Sequence, residues 1–105
     1  MSITKAAEEF YTANQNLKAR DIIDGVKLSI PDILVGKNKP RLDAINREVK
    51  PGDLVAYSIN SRSVYVAVVV GFTPEGFRLM SFDRYDGSLY QGVFSQPVVV
   101  LVHSS

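Results

Sequence analysis

The chain contains no cysteine, no tryptophan and one histidine in 105 residues. Without Cys it has no disulfide framework, no thiol nucleophile and no zinc site of the Cys-rich kinds. The lone imidazole, His103, has no second ligand-type residue close to it in sequence, so it reads as a solvated side chain rather than a metal ligand or general base. No glycine-rich phosphate loop and no Ser-His-Asp arrangement occurs either. An enzyme is therefore not expected, nor is a metal or cofactor.

A dominant charge is also missing. Twelve Lys and Arg stand against 11 Asp and Glu, a net +1, so the chain as a whole has little electrostatic preference for nucleic acid, membranes or acidic partners. No run approaches the ~18 apolar residues of a membrane-spanning helix. The first residues carry Glu8 and Glu9 where a signal peptide needs an apolar stretch. The expectation is a cytoplasmic protein of one domain, 1–105, large enough to bury a core without covalent staples.

What is present is a dense set of strand signals after residue 50. Pro51-Gly52 makes a turn and Asp53 leads into Leu54 to Ile59. Asn60-Ser61-Arg62-Ser63 reverses the chain, Val64 to Phe72 forms a long second strand, and Thr73-Pro74-Glu75-Gly76 turns into Phe77 to Phe82. Simple alternation places Val64, Val66, Val68, Val70 and Phe72 on one face of the second strand and Tyr65, Ala67, Val69 and Gly71 on the other. With both faces apolar, that strand belongs at the centre of the sheet, and Gly71 marks a bend. Asp86-Gly87 signals another turn, and Leu89 to Phe94 and Val98 to Val102 supply two further strands.

Before residue 50 the pattern is different. Ile3, Ala6, Ala7, Phe10, Tyr11, Asn14 and Leu17 recur at helical steps, predicting a helix from residue 3 to about residue 20 within an N-terminal part, 1–24. Ser2 is its N-cap and Gly25 its stop, with Glu8 and Glu9 early and Lys18 and Arg20 late to complement the helix dipole. A connector, 25–50, follows. Val26, Leu28 and Ile30 alternate as a short strand that Pro31 interrupts, Gly36 to Pro40 is a loop, and Arg41 to Val49 fits either a short helical turn or an extended connector. The connector holds Lys27, Lys37, Lys39, Arg41, Arg47 and Lys50 against Asp32, Asp43 and Glu48, a net +3.

The segment Val49 to Phe82, with its Pro-Gly-Asp-hydrophobic entry and three-strand meander, resembles SH3-like small barrels of the KOW and Tudor kind. It differs from KOW units in carrying Asn60-Ser61-Arg62-Ser63 where they place glycines. The resemblance implies a mainly β (α+β) protein: an N-terminal helix followed by a five-stranded SH3-like barrel over 51–105. A short helix plus one small barrel is also similar to accessory proteins of large bacteriophages. Pro51-Gly52-Asp53-Leu54-Val55 is similar to a strand of the NlpC/P60 cysteine peptidases as well, but their nucleophilic Cys is absent.

Two binding functions follow as expectations. Lys37, Lys39, Arg41, Arg47 and Lys50 would contact nucleic-acid phosphates, joined by Arg62, Arg84 and Tyr85 from the loops that form the binding face in such barrels, with Arg84-Tyr85 able to stack on bases. Alternatively, Tyr57, Tyr85 and Tyr90 would line a groove for a protein partner, making the chain an adaptor or an inhibitor, of a host protein if it is phage-encoded. Asp83 and Asp86, lacking further ligand spacing, fit turn capping.

Overall fold

The computed structural model describes residues 2–58, 64–74, 76–81, 90–94 and 98–104, with Thr4, residues 90–94 and Val98 described by their backbone alone. Three short helices and a connector precede an antiparallel sheet.

Helix α1 (Ile3–Ala13) starts as expected, with the Ser2 hydroxyl accepting the Lys5 amide at 3.1 Å. It ends well before residue 20. The Asn14 side-chain amide donates to the Phe10 carbonyl at 2.8 Å and its backbone N–H goes to the same carbonyl, so the last turn is closed by a residue that competes with helix continuation. A second helix, α2 (Ala19–Ile23), then begins with the Asp21 carboxylate accepting the Lys18 amide at 2.9 Å, and Gly25 at φ 101° follows its end. The expected dipole complement is thereby corrected. No acid lies in the first turn of α1 and no base in its last, and Lys18 stands at the start of α2.

Val26 to Ile30 is not a strand: the Val26 amide donates back to the Asp21 carbonyl at 2.9 Å, and Lys27 to Ile30 have no backbone partner among the described residues. Pro31, with φ −60°, opens a one-turn helix, α3 (Asp32–Val35), which Gly36 closes at φ 76°. The following segment is neither a helical turn nor a plain connector. Leu42 and Glu48 form a bridge, the Asp43 amide donates to the Arg47 carbonyl at 2.9 Å, and Asn46 takes the left-handed conformation at φ 63° that its side-chain type tolerates.

The strands are β1 (Leu54–Ser58), β2 (Tyr65–Phe72), β3 (Phe77–Ser81), β4 (Tyr90–Phe94) and β5 (Val98–His103), in the order β4-β3-β2-β1-β5 with antiparallel neighbours. The long apolar strand β2 is central, and Ala67 to Phe72 are all buried. Its faces depart from simple alternation. The register shifts between Val69 and Gly71, and this bulge returns Phe72 to the face of Ala67 and Val69.

Two cores result. On one face Val55, Tyr57, Ala67, Val69, Phe72, Phe77, Leu79 and Val99 pack together with Val49. On the other, α1 and α3 bring Ala6, Phe10 and Leu34 onto Val68, Val70 and Met80. At Gly71 the helix layer touches the backbone, since a Cβ there would lie 2.1 Å from the Leu34 carbonyl oxygen. The Arg78 guanidinium donates to that same carbonyl, fastening α3 to β3. Among the described residues no helix is long and apolar enough to cross a membrane.

Candidate functional site

The connector segment from Lys37 to Lys50 lies near the end of the sheet where β1 and β3 begin and β2 and β5 finish. Two backbone devices shape this end. In the Lys50–Asp53 turn the buried Asp53 carboxylate accepts the Lys50 amide at 2.8 Å, while Gly52, at φ 96°, donates its N–H to the Val69 carbonyl at 2.7 Å. In the loop after Gly36, the Asn38 side-chain amide reaches the Phe72 carbonyl at 3.1 Å. Arg41 closes that loop by donating to the carbonyls of Pro74 at 2.7 Å and Thr73 at 3.3 Å. Lys37 and Lys39, on either side of Asn38 in this bend, are both exposed.

Asp43 organises the rest of the connector. Its buried carboxylate accepts the amides of Arg47 at 2.7 Å, Leu101 at 3.0 Å and Ile45 at 3.1 Å, and the Arg47 Nε at 2.9 Å. Burial pushes this carboxyl up, but the Leu101 and Arg47 amides, the Arg47 guanidinium and the Ile45 amide outweigh it and hold the pKa down at about 2, against an ordinary 3.8. The Arg47 Nη2 also donates to the Leu101 carbonyl at 2.8 Å.

Of the eight residues expected at a nucleic-acid face, the structure describes five. Lys37, Lys39 and Lys50 are exposed cations with no ion pair among the described residues. Arg41 and Arg47 hold the connector onto the sheet through carbonyls and Asp43. Arg62, Arg84 and Tyr85 lie outside the described residues. Of the tyrosines expected in a groove, Tyr57 is core, 4% exposed, with its ring centroid 5.6 Å from that of Tyr65. Tyr90 is the first residue of β4, and Tyr85 lies outside the described residues.

A groove does exist, elsewhere. A cleft of about 570 Å³ separates α1, through Ala6, Glu9, Phe10 and Ala13, from the extended segment bearing Lys27 and Ser29. Its sequence signal was the alternation over Val26 to Ile30, which indicated extended backbone but not that Lys27 to Ile30 would find no backbone partner among the described residues. The Asp43 hub had a fainter signal, an acid and an arginine four residues apart around Asn46. Among the described residues no group of three or more His, Cys, Asp or Glu is placed to hold a metal ion.

Compared with protein-family models, with curated proteins and with solved structures, the chain gives no match in any of the three.

Proposed function

We propose that this chain is a non-catalytic binding module, a small SH3-like barrel of the KOW and Tudor kind, that contacts nucleic-acid phosphates with Lys37, Lys39 and Lys50. Support for the barrel comes from the core formed by Val49 and the strand residues. That core holds no residue of a described helix, which fits a sheet that curls over its own face, and the position of β5 beside β1 has the order such barrels use. A cytoplasmic setting, as for a phage-encoded accessory protein, is consistent with a chain free of cysteine.

The observation that carries the phosphate reading is the pinned loop. Asn38 and Arg41 fix it to the β2–β3 end, and Lys37 and Lys39 are exposed there with no ion pair among the described residues. Pre-organised cations bind a polyanion at less entropic cost than free ones. The test is a salt titration of oligonucleotide binding with the wild type and the Lys37→Glu/Lys39→Glu double variant. Loss of two phosphate contacts lowers the slope of log K against log salt by about 2 for a duplex. An unchanged slope with folded variant protein removes the reading.

A second reading, an adaptor that binds a protein, is favoured by the cleft beside α1.

A further inference from the structure

The segment Lys27 to Ile30 runs without a bend between Gly25 and Pro31. Leu28 and Ile30 are half-buried against the helix-side core, and Lys27 and Ser29 are exposed, the alternation of an extended strand. Yet none of its backbone N–H or C=O groups has a hydrogen-bond partner among the described residues. The segment is at the surface, so water satisfies these groups, and they are available for exchange to a peptide. Beside it lies the cleft, floored by Ala6, Phe10 and Ala13 of α1.

We propose that this cleft captures an extended segment of a partner protein, which adds as a strand to the Lys27–Ile30 backbone and lays alternate apolar side chains on the α1 floor. This deepens the adaptor reading and does not depend on the lysine loop. The unpaired backbone selects the occupant: a helix bonds its own backbone internally and would leave Lys27 to Ile30 unpaired, whereas a strand uses both. Pro31 sets the far limit, since it has no N–H to give and begins α3. Charge adds orientation. Glu9 on the helix wall and Lys27 on the strand wall are both exposed, and neither makes an ion pair among the described residues. The preferred segment is apolar at alternate positions, with a cation to meet Glu9 and an anion to meet Lys27.

The probe is a displayed library of short random peptides, selected on the full chain and counter-selected on Ala13→Trp, whose indole fills the cleft from an exposed helical position. The enriched peptides are expected to bind Ala13→Trp at least about tenfold more weakly than the wild type. They should slow hydrogen exchange at the Lys27–Ile30 amides and lose affinity when alternate peptide amides are N-methylated. Glu9→Lys, which leaves the core untouched, gives a second reading and should disfavour peptides carrying the matching cation. No enrichment, equal enrichment on Ala13→Trp, unchanged exchange at Lys27–Ile30, or a peptide bound as a helix overturns the proposal. Binding that maps to another surface overturns it too, while leaving the adaptor reading intact.

Discussion

The Asp43 carboxylate accepts the backbone amide of Leu101 at 3.0 Å, across 58 positions of sequence. On either side of that contact the Ala44 amide donates to the Val99 carbonyl at 2.7 Å and Arg47 to the Leu101 carbonyl at 2.8 Å. The 42–48 turn thus occupies the outer backbone groups of β5, an edge that would otherwise be a template for another strand.

Replacing Asp43 with Ala should therefore do two things. Three amides and a guanidinium lose their shared acceptor, which should lower the melting temperature by on the order of 10 °C. The edge is also released, so light scattering should show more self-association than in the wild type. A variant as stable and as dispersed as the parent would show that the turn does not seal the edge.

The same carboxylate makes acid stability predictable. Its folded pKa of about 2 lies below the ordinary 3.8, so its contribution is fully present above pH 4 and is lost as pH falls through 2. Urea midpoints of the wild type should fall across that window more steeply than those of Asp43→Asn, which has no proton to take up there. Parallel curves would contradict the assignment.

Gly71→Ala tests the docking of α3. The new Cβ would meet the Leu34 and Val35 carbonyl oxygens at 2.1 and 2.7 Å, both backbone atoms that move only with the helix. A loss of about 1–3 kcal/mol in urea unfolding is expected. Hydrogen exchange should rise first at Leu34 and Val35.

Arg78→Met removes the donor to the Leu34 carbonyl and should cost about 1–2 kcal/mol. Since both changes loosen the same helix, the Gly71→Ala/Arg78→Met double variant should lose less than the two singles added. Strict additivity in the double-mutant cycle would mean that Arg78 acts elsewhere.

Asn38→Ala keeps every cation but frees the lysine loop from the Phe72 carbonyl. If the loop contacts phosphates, oligonucleotide affinity should drop by about threefold with an unchanged salt slope. A changed slope would indicate that Asn38 alters the number of contacts rather than their positioning.

The sequence carried β1 to β3 to within about a residue at each end, because Pro51-Gly52 and the run after Val64 are local signals. The face of Phe72 was not legible. A one-residue bulge leaves the composition of a strand unchanged while reversing every side chain after it. Helix α3 was hidden because four residues are too few for a 3.6-residue period to show. Arg41 and Arg47 look the same in sequence as Lys37 and Lys39. Only the tertiary arrangement aims two of them at carbonyls more than 30 positions away and leaves the other two outward.

Sealing β5 also limits how copies of this chain can assemble by strand addition to their sheets. Such a sheet propagates only if every copy offers two receptive sides, as a link in a chain needs two ends. With one side stoppered by the Asp43 turn, joining through β4 gives a closed pair and stops there, so the Asp43 contact sets a ceiling on sheet-to-sheet assembly as well as a local stability.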